Sequence, residues 1–311
     1  MKKNIFKILI GLMFLGSFSA TGQQDPMLSQ YMFNGLMLNP AYSGSHKYWS
    51  STLTYRNQWT GADFRGAPQT AVAAVDGPIP GYNMGLGLVL MHDRLGVTQQ
   101  NLIQAVYSYH IKTGAKTKLS LGLSAGASQF SSRLTDVKIW DEDDVMYQED
   151  HSKWLPKVGF GAYFYAENFY VGASIPTLFS YEKDKDFSMD LTKASFLRRH
   201  YLLTGGVVIP AGAQLKFKPS VLLKYIPSAP LEADINLSVV IRDQFWIGAS
   251  YRTLDAVAII LEYQTKSFFR IGYSYDITTS RLRNYSKGSH EIMIGFDFGR
   301  DLIKVKTPRY F

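Results

Sequence analysis

Apolar and polar residues alternate with a period of two along most of the chain, in runs of about ten residues separated by turn formers. That period belongs to a strand whose two faces meet different surroundings. The clearest runs come late. In Leu215 to Tyr225 one face reads Leu215, Phe217, Pro219, Val221, Leu223, Tyr225 and the other Lys216, Lys218, Ser220, Leu222, Lys224. In the next run Ala233, Ile235, Leu237, Val239 and Ile241 oppose Glu232, Asp234, Asn236 and Ser238. Phe269, Ile271, Tyr273 and Tyr275 oppose Arg270, Gly272 and Ser274; Ile292, Ile294, Phe296 and Phe298 oppose Glu291, Met293, Gly295 and Asp297. Strands are expected near 49–59, 67–77, 83–92, 98–111, 116–129, 156–166, 168–177, 199–210, 215–225, 231–241, 244–253, 255–264, 267–276 and 289–298, an even total of 14.

Ten residues at ~3.3 Å each, tilted by ~40°, cover the ~25 Å apolar band of an outer membrane. Soluble sandwiches usually have strands of about 5–6 residues. The reading is therefore all-β, a 14-stranded antiparallel transmembrane outer-membrane β-barrel. A secreted protein of two sandwiches is the alternative. Adjacent strands direct opposite charges to one side, which in a barrel is the lumen, where they pair. The lumen charge candidates are Lys216, Lys218, Lys224, Glu232, Asp234, Glu262, Arg270 and Glu291, with Lys216, Lys218 and Lys224 expected to meet Glu232 and Asp234. From a periplasmic amino terminus, the short connections Pro78 to Tyr82, Lys112 to Ala115, Glu167, Ala211 to Gln214, Arg242-Asp243 and Thr265-Lys266 fall on the inside. The long ones, Phe130 to Leu155, Leu178 to Arg198 and Ile277 to Gly288, fall on the outside.

The ends read differently. Lys2, Lys3 and Lys7, an apolar run from Ile8 to Phe18 and Ala20-Thr21-Gly22 make residues 1–22 a secretory leader, too short to span a membrane. Residues 23–48 alternate poorly. Their apolar positions Leu28, Met32 and Leu36 suit one or two helical turns between proline boundaries. A segment so apolar is expected inside the barrel (49–299) or against its periplasmic mouth, as a short plug; residues 300–311 form a periplasmic tail.

Composition removes chemistries. Without cysteine there is no disulfide scaffold, thiolate metal site or thiol catalysis. Twenty tyrosines and 19 phenylalanines suit aromatic strand positions, and a mean hydropathy of −0.09 argues against a helical membrane protein. The net charge of +8 falls to +5 without the leader and does not cluster, so no nucleic-acid partner is expected. Gly122-Leu123-Ser124-Ala125-Gly126 matches a hydrolase string but lies within an alternating strand, where no elbow exposes the serine. The six histidines lack metal-ligand spacing, and Asp141-Glu142-Asp143-Asp144 with Glu149 and Asp150 reads as a solvated acidic loop. Neither a cofactor nor catalysis is expected; structural pairing explains Glu232, Asp234, Glu262 and Glu291 better than an acid/base pair does.

Gln24-Asp25-Pro26 with Ser29-Gln30-Tyr31-Met32-Phe33-Asn34, then Leu38-Asn39-Pro40-Ala41-Tyr42-Ser43-Gly44, resembles the opening of the PorP/SprF family of type IX secretion membrane proteins. Tyr55-Arg56-x-Gln58-Trp59-x-Gly61, Gly66-Ala67-Pro68-x-Thr70, Asp76-x-Pro78, His290-Glu291-Ile292-Met293 and Pro308-Arg309-Tyr310-Phe311 are similar to the same pattern. The motif and plug candidates are thus Asp25, Pro26, Gln30, Tyr31, Asn34, Asn39, Pro40 and Tyr42. The resemblance implies an outer-membrane barrel of a Bacteroidota-type bacterium, with outer-membrane lipid and type IX translocon components as partners. It further implies export, capture or anchoring of a large surface adhesin that bears a type B carboxy-terminal sorting domain, in support of gliding. The rival function is a channel for a small hydrophobic or polar solute, like long-chain fatty-acid (FadL-like) barrels; an outer-membrane hydrolase would need a nucleophile–histidine spacing that is missing.

Overall fold

The computed structural model describes residues 26–61, 66–136, 150–178, 199–227, 229–265 and 268–298. The expected leader, Asp25, most of the acidic run, the stretch 179–198 and the expected tail lie outside the described residues.

The strands are β1 (Trp49–Asn57), β2 (Gln69–Pro78), β3 (Met84–Leu95), β4 (Thr98–Lys112), β5 (Lys118–Ser132), β6 (His151–Tyr165) and β7 (Phe169–Ile175). They continue as β8 (Tyr201–Val207, resumed at Ile209–Pro210), β9 (Leu215–Tyr225), β10 (Glu232–Ile241), β11 (Phe245–Arg252), β12 (Ala256–Gln264), β13 (Phe269–Thr278) and β14 (Ser289–Phe298). Each pairs antiparallel with its sequence neighbours, and β14 pairs back onto β1 from Trp49↔Phe298 to Asn57↔His290. The result is a closed antiparallel barrel of 14 strands. The interruption of β8 has a local cause. Its two pieces keep one register against β9, and the unpaired positions 207 and 208 fall opposite Pro219 and Lys218, where Pro219 has no N–H to give the ladder.

Alternation governs both faces. The outer face carries Leu53, Ile103, Leu123, Phe160, Ile235, Ile259 and Ile292, all exposed, as lipid-facing positions require. On β3 to β6 the apolar band ends at a polar row linked by hydrogen bonds, His92 to Asn101, Asn101 to Gln129 and Gln129 to Ser152. The core lies inside the ring. Apolar side chains of residues 28–42 pack there in two clusters, one with Leu222, Val240, Trp246 and Ile260, the other with Val72, Val89, Leu102 and Tyr163.

One end of the barrel has short turns: Ile79 to Asn83, Thr113 to Thr117, Ala166 to Asn168, Ala211 to Gln214 and Arg242 to Gln244. Arg242 and Asp243 both take positive φ, 53° and 57°, and Gln244 N–H bonds back to Ile241. That is the mirror-image turn whose twist matches a strand pair. The opposite, loop end carries the longer connections, including 133–150 and 176–200.

Candidate functional site

Ahead of β1 the chain runs through the barrel from its loop end to its short-turn end. It does so in three single turns, Tyr31–Phe33, Gly35–Leu38 and Pro40–Tyr42. Asn39 joins the last two. Its backbone is extended, its Oδ1 accepts from Ala41 N–H at 2.9 Å, and Pro40 opens the turn where a missing N–H costs nothing. Gly35 is required locally, because a Cβ there would meet the Tyr42 ring at 2.6 Å.

On one wall the segment is gripped by charge. The Glu291 carboxylate accepts the backbone N–H of Ser29 at 2.8 Å and of Gln30 at 2.9 Å, while Gln30 Nε2 donates to the Glu291 carbonyl at 3.1 Å. Arg56 bridges Glu291 at 3.0 Å and Asp276 at 2.7 Å and donates to Ser29 Oγ at 2.7 Å. Ser29 Oγ in turn donates to Asp276 at 2.6 Å. With its amide turned to present the oxygen, Gln58 accepts from Arg56 Nε at 2.8 Å. Beside this set Arg252 contacts Asp234 at 3.1 Å, Asp255 at 3.2 Å and the Leu28 carbonyl at 3.5 Å. Arg56, Asp276 and Glu291 are almost fully buried. Buried charges persist only when paired and hydrogen-bonded, and here the segment's own N–H groups complete the set.

On the other wall the segment is held by shape. Inward positions of β3, β5 and β6 are Gly85, Gly122 and Gly161, where a Cβ would overlap the Ser43 carbonyl, the Ala41 backbone and the Asn39 side chain respectively. The backbone can therefore lie directly on the strands. Hydrogen bonds then fix its register: Asn39 Nδ2 donates to the carbonyls of Ala162 at 2.9 Å and Ala173 at 3.3 Å. Ser174 Oγ donates to the Leu38 carbonyl at 2.6 Å, and Ser108 Oγ to the Ser43 carbonyl at 2.6 Å. At the short-turn end Gly44 N–H donates to Asp76 at 3.0 Å, and His46 lies 3.3 Å from the same carboxylate. Tyr42 meets Tyr163 edge-on at 5.8 Å, and Phe33 meets Trp246 edge-on at 5.5 Å.

The residues singled out in the sequence fall as follows. Gln30, Asn39 and Glu291 carry the contacts above; Tyr31, Asn34, Pro40 and Tyr42 are buried within the barrel, Pro26 is half-buried at the loop end, and Asp25 is outside the described residues. Arg270 joins Glu262 at 3.9 Å and Asp297 at 3.2 Å. The expected meeting of lysines on β9 with carboxylates on β10 takes a different form. Lys224 lies 3.7 Å from Glu232, but Asp234 pairs with Arg252, Lys216 with the turn residue Asp243, and Lys218 stands over the Trp246 ring at 5.1 Å. Register decides this: Lys218 is opposite Ser238 and Lys216 opposite Val240. Arg56, Arg252, Asp276 and Asp297 were not among the candidates, although each occupies the inward phase of its strand. Ser124, of the hydrolase-like string, sits in mid-β5 and accepts from Gln104 at 2.9 Å. Asp150, beside the acidic run, accepts from the Thr135 hydroxyl and N–H, which hold its carboxyl below the usual range. Among the described residues no three histidine or carboxylate side chains converge as a metal site.

Next to the segment's start, a small cavity of about 40 Å³ is lined by Pro26, Met27, Met91, Gln104, Lys157, His200 and Lys224 among others.

Comparison with solved structures returns other barrels at low similarity. The Acinetobacter baumannii outer membrane protein Omp33 gives a TM-score of 0.48 at 8% identity, covering 82% of this chain and 100% of its own. The Ralstonia pickettii toluene transporter TbuX gives 0.48 at 9%, covering 84% and 92%, and a Pseudomonas aeruginosa FadL homologue 0.47 at 10%, covering 88% and 95%. No curated protein matches the sequence. Residues 20–296 match the family described as type IX secretion system membrane protein PorP/SprF, so the chain belongs to that family and is an outer-membrane component of the type IX secretion system.

Proposed function

We propose that the protein is a closed, non-enzymatic anchor: it binds, helps export or retains a surface adhesin with a type B carboxy-terminal sorting domain, in support of gliding. The loop end faces outward and supplies the partner surface, and residues 26–44 close the lumen as a plug. The observation that carries this reading is the double hold on that segment, by Arg56 and Glu291 on one wall and by Gly85, Gly122 and Gly161 on the other. A chain tied to both walls across the lumen weighs against a FadL-like solute channel. The inward lysines, arginines and carboxylates serve structure in this reading, and outer-membrane lipid surrounds the apolar outer face. The test is deletion of the gene, and of any paralogue, followed by antibody probing of intact cells. Loss of adhesin from the surface is expected, and normal display would sink the reading.

A further inference from the structure

At the short-turn rim a group of lysines stands apart from the paired charges of the lumen. Lys112 closes β4 and Lys118 opens β5, and the two lie directly opposite in the ladder. Like charges facing each other across a strand pair are destabilising. Lys116 sits in the turn that joins the two strands, and Lys47, just ahead of β1, is close enough to repel the Lys118 ammonium. Lys47, Lys112 and Lys116 are exposed and Lys118 is half-buried. Among the described residues no carboxylate pairs with any of the four, Glu167 of the neighbouring turn included. The sequence brings few other acids to this end. Its acidic run belongs to the connection between β5 and β6 at the opposite end, and residues 299–311, which follow β14 where it reaches this rim, carry Arg300, Lys304, Lys306 and Arg309 against Asp301.

The place of the lysines on the rim selects their occupant. Lys112 and Lys118 share the inward phase of their strands with His110 and Ser120, which are buried, while Ile111 holds the lipid-facing phase. The lysines therefore border the mouth of the lumen, beside the point where the Ser43 carbonyl accepts from Ser108, instead of the lipid. We propose that this cluster docks an acidic stretch of a soluble protein, whose carboxylates replace the repulsion among Lys47, Lys112 and Lys118 with attraction. Complementary charge of this kind steers encounter and fixes register. With the loop end outward, as the anchor reading places it, the partner is periplasmic; only that location rests on the anchor reading.

The test is fluorescence anisotropy of a labelled dodecapeptide that alternates Glu and Ser, titrated with the full mature chain in non-ionic detergent at ~0.15 M salt, where charges more than ~8 Å apart are largely screened. Binding at least tenfold tighter than that of a Gln-and-Ser counterpart is expected. A combined Lys112→Gln, Lys116→Gln and Lys118→Gln variant should lose tenfold or more while keeping the heat-modifiable gel mobility of a folded barrel, since it relieves repulsion. Lys47→Gln alone, outside every strand, should cost threefold or more and serves as the second variant. A combined Arg281→Gln, Arg283→Gln and Lys287→Gln variant removes as much exposed charge at the loop end and should bind as the parent does. Equal binding of the two peptides, or an equal loss at the two ends, overturns the proposal. So does loss of peptide binding when the barrel passes from phosphatidylcholine nanodiscs to phosphatidylglycerol ones, because the lysines would then belong to lipid headgroups. None of these outcomes bears on adhesin display in the deletion strain, so the two readings fail separately.

Discussion

The two walls of the lumen hold one segment by opposite means. On β1, β13 and β14, Arg56, Asp276 and Glu291 seize Ser29 and Gln30 through charge. On β3, β5 and β6, Gly85, Gly122 and Gly161 leave no Cβ in the way, so the Ser43 carbonyl, the Ala41 backbone and the Asn39 side chain rest directly on the strands. A buried ion set fails when a member is removed, because the partner is left charged in a low dielectric. A glycine seat fails when an atom is added, because cores tolerate little overpacking. One wall is vulnerable to subtraction and the other to addition.

That contrast sets the order of expected effects. Arg56→Met leaves Glu291 and Asp276 without their shared cation and should cost about 3–5 kcal/mol, read as an earlier urea midpoint of barrel unfolding; an unchanged midpoint would break the charged half of the comparison. Glu291→Gln keeps one acceptor for the Ser29 and Gln30 amides but loses the charge. About 2 kcal/mol is expected from the usual worth of charge-assisted bonds, with faster hydrogen exchange at those two amides. Gly122→Val adds atoms where Ala41 lies, an overpacking of roughly 1–3 kcal/mol. Residues 39–43 should then leave their seat while the barrel still folds, so planar-bilayer recordings should find the variant conducting and the parent silent. Silence in both, with stability unchanged, would remove the glycine half. Asn39→Ala forfeits a turn cap and two bonds to strand carbonyls at about 1 kcal/mol, and should leave conductance low while raising its flicker.

The barrel was legible because its signal is local and repeated. Each run such as Leu215 to Tyr225 declares its two faces without reference to any other part of the chain, and the closed ring of 14 strands follows from adding such runs. Pairing across the lumen was not legible to the same degree. Which carboxylate Lys218 or Arg252 meets depends on register and on strands far away in sequence, as Arg56 and Glu291 show with a separation of 235 positions. The glycine seat was hidden for another reason. Gly85, Gly122 and Gly161 leave no mark on an alternation pattern, and their meaning appears only when Ser43, Ala41 and Asn39 are laid on them.

The contact between Glu291 and the amides of Ser29 and Gln30 also bears on the order in which the fold can close. It joins positions 262 and 261 residues apart, and the same closing strand, β14, zips onto β1. Ser29 and Gln30 therefore gain these partners only once the last strand is in place. Leu28, Tyr31, Phe33 and Leu36 spend that interval without the walls that later bury them. Chains dominated by such distant contacts fold slowly and expose sticky surface while they wait. Until the carboxyl-terminal strand arrives, the amino-terminal stretch is thus the part of this chain with most apolar surface to lose to wrong partners.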